Sequence, residues 1–253
     1  MSDAAPQPES RPAPPFPGLA AVGAAFRALT VLGGGPAARV DASALYYPLV
    51  GLALGAVWVL TDRATSALAG RMVASLAVIL VATAATGARA VRALARTLAA
   101  LVSGRECSLE VLEHGAGWLP ALALAGVLGG EIAVLYSLDR FRLVGLAFAP
   151  VLGCCSMVVI AVGSRAARRD GRRLKFAPGI TFREFGLAST ATFALIFLSA
   201  DFLGLLLVLT TAACTIGARV FFHRWIDGVN ETAMLATGEA VQLVILALLA
   251  AFS

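Results

Sequence analysis

Runs of apolar residues, each near the length at which a helix crosses a lipid bilayer, dominate this chain of 253 residues. A hydrocarbon core about 30 Å thick takes roughly 20 apolar residues in a helix. Since 59% of the residues are hydrophobic and the mean hydropathy is +0.87, the composition excludes an ordinary soluble domain. The sequence therefore predicts an all-α, polytopic membrane helix bundle with about seven transmembrane helices. The runs are 45–60, 72–87, 118–138, 143–163, 186–200, 202–216 and 233–252.

Some of these runs are short, so the sequence leaves a count of six to eight spans open. A further apolar stretch, 16–32, contains Arg27 and many small residues, which is typical of an interfacial or re-entrant helix. Residues 1–15 are Pro, Ala and polar residues, and they lack the apolar segment of a cleavable signal. We expect a disordered tail over 1–15 and a single integral membrane domain over 16–253.

The basic residues predict the orientation, because Lys and Arg near short loops stay on the cytoplasmic side. With the N-terminus inside, sixteen of the 20 basic residues fall in cytoplasmic segments. This bias predicts a cytoplasmic N-terminus in a plasma membrane of the bacterial inner-membrane type, and it explains the net charge of +5 without a nucleic-acid partner. The basic cluster over 165–183 is either a topology signal beside anionic membrane lipid or a phosphate-binding segment.

Small and ionisable residues inside the predicted spans carry further expectations. The glycines over 51–55 and 126–130 predict close helix packing, as do the adjacent Cys154 and Cys155. Glu131 and Glu239 lie within predicted spans, where an ionisable group is costly. We expect each to have a partner or a polar cavity, and on their own the two would suggest a transporter component.

Two N-terminal motifs are more specific. F-R-A-L-T begins at Phe26, and Y-Y-P-L-V-G-L-A-L-G begins at Tyr46. Together they resemble the N-terminal signature of the cobalamin synthase family, adenosylcobinamide-GDP ribazoletransferase. The resemblance implies a membrane enzyme that joins α-ribazole or its phosphate to adenosylcobinamide-GDP and releases GMP. It also implies Mg²⁺ as cofactor and a nucleotide-type or cobamide ligand.

The chain departs from this family where the second run ends. The family carries G-F-H-L-D-G-L-A-D-T-x-D there, whereas this chain reads T-G-A-R-A-V-R-A-L-A-R-T-L-A-A over 86–100. Arg92, Arg96 and Ala99 stand at the three aspartates, and arginine cannot ligate Mg²⁺. Helical spacing places Arg89 on the same face. We expect this face to bind substrate or another anion, together with Arg172, which lies where the family has R-x-x-x-G-L-G.

The remaining carboxylates suggest where catalysis could survive. Glu231 stands at the aspartate of the family's T-G-D-T-L-G-A motif, so Glu231 and Glu110 are the catalytic candidates. A relocated cation site would draw on four carboxylates, and salt bridges to the arginine face are the alternative role for such residues. Those four are Glu106, Glu110, Asp227 and Glu231.

Three functions remain open on this sequence. The first is an active ribazoletransferase or related phosphotransferase with an altered site. The second is a catalytically silent family member that serves as a membrane partner or binds an anionic ligand. The third is a transporter component, and the oligomeric state is open in all three.

Overall fold

The computed structural model describes residues 18–31, 43–103, 111–112, 115, 117–169, 172–173 and 180–253. The predicted tail over 1–15 and the candidates Glu106 and Glu110 lie outside these residues. Within them the regular structure is helical apart from an isolated bridge between Ala166 and Val229 and one pair of two-residue strands, β1 (Arg168–Arg169) and β2 (Arg172–Arg173), which pair antiparallel. The helices are α1 (Leu19–Leu29), α2 (Tyr47–Thr86), α3 (Arg89–Val102), α4 (Trp118–Ser137), α5 (Arg142–Ala161), α6 (Phe182–Ile226) and α7 (Glu231–Ala251).

Five of the described helical stretches are long and apolar enough to cross a membrane. They are Ala44–Thr86, Trp118–Ser137, Arg142–Ala161, Phe202–Ile226 and Glu231–Ala251. Helix α1 has 11 residues and is therefore too short for a full span. This length agrees with the prediction of an interfacial or re-entrant helix. The prediction of an all-α membrane helix bundle is confirmed at this level.

Helix α2 doubles back at Gly70, whose φ of 80° and ψ of 174° are not helical. Nη2 of Arg142 donates to Oδ1 of Asp62 at 2.6 Å and to Oγ of Ser75 at 3.1 Å. In one continuous helix, Asp62 and Ser75 would lie about 20 Å apart along the axis. The halves 47–69 and 71–86 therefore lie side by side as a helical hairpin, and glycine at the turn accommodates the positive φ.

Helix α6 reverses in a similar way. A Cβ built on Gly204 would lie 2.7 Å from the carbonyl oxygen of Ile196. Residues eight apart in a straight helix are separated by about 12 Å along the axis, so the chain must turn between these two. The reversal coincides with the predicted break between the apolar runs 186–200 and 202–216.

Helix α5 lies at the centre of the bundle and packs against α2, α6 and α7. Gly51 meets its backbone closely, since a Cβ there would lie 2.6 Å from the carbonyl oxygen of Pro150. Cys154 and Cys155 of α5 are buried. The packing predictions for the glycines over 51–55 and for the two cysteines are confirmed.

The packing prediction for the glycines over 126–130 is wrong for the described structure. A Cβ built on Gly126, Gly129 or Gly130 would meet no described atom within 4 Å. The reason is the position of α4, which is mostly exposed on the side of the bundle, whereas α5 is enclosed by its neighbours. Glycine spacing alone does not distinguish a buried helix face from one that borders lipid.

Candidate functional site

Helix α3 begins at one end of the bundle, directly after a tight turn. Gly87 and Ala88 both have left-handed backbone conformations, with φ of 63° and 56°. The turn lies beside the end of α1, because the N–H of Val31 donates to the carbonyl of Ala85 at 2.9 Å. The segment over 86–100, compared above with the family's aspartate motif, is therefore located where α1, α2 and α3 meet.

Helix α3 has one buried side and one basic side. Small buried residues such as Ala93 and Ala99 let it pack closely against α4 and α7. Arg92 is exposed, and Arg89 and Arg96 are partly exposed. The spacing of the arginines thus places them on one side of α3, which faces the end of α1 and the start of α7 at Arg89 and is exposed at Arg92.

Arg89 ties α3 to two other elements. Its Nη1 donates to the carbonyl oxygen of Ala28 at 2.7 Å, at the end of α1. Its Nη2 donates to Oε1 of Glu231 at 2.9 Å, at the start of α7. This salt bridge joins the start of α3 to the start of α7, and it is the alternative role that the sequence left open for Glu231.

Arg92 folds back over the turn that precedes its own helix. Its Nε donates to the carbonyl oxygen of Ala88 at 3.1 Å, and its Nη2 donates to that of Gly87 at 2.6 Å. These two bonds engage two of the five donors of a guanidinium group. Both acceptors are neutral carbonyls, so these bonds pair Arg92 with no carboxylate among the described residues.

Arg96 lies against the segment that leads from α3 to α4. A Cβ at Gly115, which has a φ of 62°, would collide with the Arg96 side chain. Leu112, three residues earlier, is buried in the main apolar cluster. The described ends of this segment therefore lie against the bundle near the arginine face, while Glu106 and Glu110 fall in its undescribed part.

The basic loop that carries Arg172 adjoins the start of α7. The N–H of Val229 donates to the carbonyl of Arg165 at 2.8 Å, and the N–H of Ala167 donates to that of Val229 at 3.0 Å. Gly228, with a φ of 152°, leaves no room for a Cβ against this loop. The backbone of Arg172 pairs with that of Arg169.

The candidate cation ligands do not form a magnesium site in the described part of the chain. Asp227 ends α6 in a left-handed conformation and is exposed. Glu231 follows Asn230, which caps α7, and its carboxylate is engaged by Arg89. Among the described residues there is no group of three or more His, Cys, Asp or Glu side chains that could hold a metal ion. With two guanidinium groups and the buried Ala99 at the aspartate positions, these residues do not fit Mg²⁺.

Glu131 and Glu239 lie near each other within the bundle, on the wall of one cavity. Nε2 of Gln242 donates to Oε2 of Glu239 at 3.2 Å. The two glutamates line a cavity of about 50 Å³, whose wall includes Arg89 and Trp58. The expectation of a partner is confirmed for Glu239. The sequence did not indicate that the two acids border the same cavity, because residues on separate helices leave no periodic pattern.

Comparison with known proteins agrees over most of the chain. Residues 21–250 match the model of the cobalamin-5-phosphate synthase family. An adenosylcobinamide-GDP ribazoletransferase of Geotalea daltonii is 28% identical over 211 residues, which cover 81% of this chain and 85% of that protein. One from Syntrophobacter fumaroxidans is 28% identical over 206 residues, covering 79% and 83%. One from Roseiflexus sp. is 30% identical over 185 residues, covering 70% and 69%.

No solved structure matches the chain. The family match begins within α1 and ends within α7, so it includes the arginine face of α3 and the start of α7 that this face contacts. Since one family accounts for nearly all the described helices, the chain belongs to the cobalamin-5-phosphate synthase family.

Proposed function

We propose that the protein is a membrane-embedded transferase of the adenosylcobinamide-GDP ribazoletransferase type. In this proposal it acts on a phosphate-bearing cobamide substrate at the arginine-rich end of the bundle. The observation that carries the proposal is the salt bridge between Arg89 and Glu231, because it brings together the two segments that correspond to the family's signatures. The three relatives, each named as this transferase, support the substrate class.

The proposed topology has seven crossings. The hairpins α2 and α6 each supply two, and α4, α5 and α7 supply one each. With the N-terminus in the cytoplasm, the arginine face of α3 lies at the cytoplasmic surface of a bacterial-type inner membrane. The positive-inside bias of sixteen of the 20 basic residues supports this orientation. The helix ends fit the proposed crossings, since Arg89 and Glu231 meet at one end of the bundle while Arg71 and Asp139 meet at the other.

The proposed chemistry follows from the groups at this end. Transfer of a phosphoryl group between two oxygens requires positive charge beside the phosphate oxygens and a base for the attacking hydroxyl. Arginine provides charge and paired donors for phosphate, so Arg92 and Arg96 are assigned to substrate binding. Glu231 is the described carboxylate next to this face and is assigned as the base. Arg89 holds that carboxylate in place.

Release of GMP tests this assignment. With adenosylcobinamide-GDP and α-ribazole phosphate supplied to the protein in liposomes, Glu231→Gln is expected to lower kcat about a hundredfold, since a positioned base typically contributes that much. Asp139→Asn is the matched control, because Asp139 also forms an exposed salt bridge, at the opposite end of the bundle. We expect its turnover to equal that of the unsubstituted protein. Equal turnover in both variants would remove Glu231 from the mechanism.

The same assay separates the transferase from the silent family member. The replaced aspartates favour the silent alternative, which retains an anion-binding face but does not transfer the phosphoryl group. Folded protein that binds substrate and releases no GMP would establish that alternative and overturn the transferase proposal. The transporter hypothesis depends on Glu131 and Glu239 alone, which line one cavity of about 50 Å³, and the family match favours the transferase.

A further inference from the structure

The aspartate positions of the family are occupied in this chain by groups that repel cations. Arg92 and Arg96 carry positive charge at any physiological pH. The third position is Ala99, which has no ligand atom and is 2% exposed. A divalent cation at this face would meet positive charge where it needs carboxylate oxygens.

The start of α3 is also electropositive. No side chain caps the helix, since the residue before it is Ala88, and its N-terminus carries the partial positive charge of the helix dipole. The charge of Arg89 is compensated by Glu231. The described partners of Arg92 are the neutral carbonyls of Gly87 and Ala88, so within the described part of the chain its charge faces no carboxylate.

We propose that the protein binds the pyrophosphate of its substrate without a divalent cation, with the guanidinium groups of Arg92 and Arg96 directly contacting the phosphate oxygens. This inference rests on the proposed function, because it concerns the same ligand at the same face. In this arrangement Arg92 and Arg96 supply the positive charge that a bound cation would otherwise bring to the phosphate. Arginine adds directional, paired hydrogen bonds to phosphate.

Binding of GDP, which carries a pyrophosphate group, tests the inference independently of turnover. The purified full chain in detergent micelles is titrated with GDP by calorimetry, once with excess Mg²⁺ and once with excess EDTA. We expect the two Kd values to agree within about twofold, well below the tenfold change that 1.4 kcal/mol would produce. A Kd that rises tenfold or more in EDTA would overturn the inference.

Two charge-reversed double variants locate the binding. Arg92→Glu with Arg96→Glu is expected to weaken GDP binding at least about tenfold, because charge-assisted hydrogen bonds are lost and repulsion is gained. Arg63→Glu with Arg140→Glu makes the same change in net charge with two exposed arginines near the other end of the bundle, and we expect unchanged affinity. Arg92→Gln with Arg96→Gln removes the charges without reversing them, and should also weaken binding. Thermal unfolding of each variant verifies that it is folded.

The outcomes distinguish the two proposals. Binding that needs Mg²⁺ contradicts the metal-free inference and leaves the proposed phosphate site intact. No binding of GDP in either condition contradicts the phosphate site itself. Equal affinity in the α3 variants and in the unsubstituted protein would show that the arginines do not contact the ligand, and would overturn the inference.

Discussion

Replacing Asp62 with alanine is expected to lower the free energy of unfolding by about 3–5 kcal/mol, because it leaves Arg142 buried without its counter-ion. Oδ1 of Asp62 accepts from Nε of Arg142 at 2.9 Å and from Nη2 at 2.6 Å. The two side chains are only 5% and 12% exposed. Arg142 also donates to Ser75 and to the carbonyl of Leu135. Without Asp62 the guanidinium group would keep these two hydrogen bonds but lose the carboxylate that neutralises its charge.

Asp139→Ala is the matched control for this prediction. Asp139 pairs with Arg71, but these side chains are 68% and 35% exposed, so solvent screens the pair. We expect a loss of about 1 kcal/mol or less. Equilibrium unfolding of both variants in detergent micelles measures the difference. If Asp62→Ala loses no more than Asp139→Ala does, the buried pair does not hold the α2 hairpin to α5.

A replacement with a well-packed apolar pair refines the test. Asp62→Leu combined with Arg142→Met removes both charges together, and such exchanges of buried ion pairs are often neutral or stabilising. We therefore expect the double variant to recover most of the stability that Asp62→Ala loses. Failure to recover would indicate that the hydrogen bonds of Arg142 to Ser75 and Leu135 matter more than the paired charge.

Gly51→Ala is expected to destabilise the protein by about 1–3 kcal/mol, the usual cost of overpacking a close contact. A Cβ at Gly51 would lie 2.6 Å from the carbonyl oxygen of Pro150 and 2.7 Å from Cα of Val151. Both atoms are backbone of α5, so no flexible side chain can move aside. The two helices would have to separate, and packing in lipid depends on such close approach.

Gly126→Ala provides the contrast, since a methyl group there meets no described atom within 4 Å. We expect its stability to match or slightly exceed that of the unsubstituted protein, because alanine favours the helix. The measurement is thermal unfolding followed by circular dichroism, together with the monodispersity of each variant. Equal loss in the two variants would contradict the close packing of α2 on α5.

Local patterns predict much of this fold. The apolar runs locate the helices, and the breaks between runs coincide with the reversals near Gly70 and before Gly204. The spacing of the arginines places them on one side of α3. What the sequence does not predict is which distant residues meet. Asp62 and Arg142 are 80 positions apart, and their pairing follows from the packing of α2 on α5 rather than from any periodic signal.

At the candidate site, too, the sequence identifies individual residues but not the contacts between distant ones. Arg89 and Glu231 can each be singled out by comparison with the family's motifs, but their salt bridge joins positions 142 apart in the chain. The sequence therefore offers two roles for Glu231, catalytic carboxylate and salt-bridge partner, without deciding between them. The structure supplies the contact, and the assay of Glu231→Gln determines whether the contact serves catalysis.

The pairing of Asp62 with Arg142 has a consequence for biogenesis. Asp62 leaves the ribosome 80 residues ahead of its partner, which at about 5–20 residues per second is a delay of several seconds or more. Throughout that interval the first helical hairpin exists without the cation that neutralises its carboxylate. The N-terminal part of the protein therefore reaches its final packing only after α5 has been inserted, although it is synthesised first.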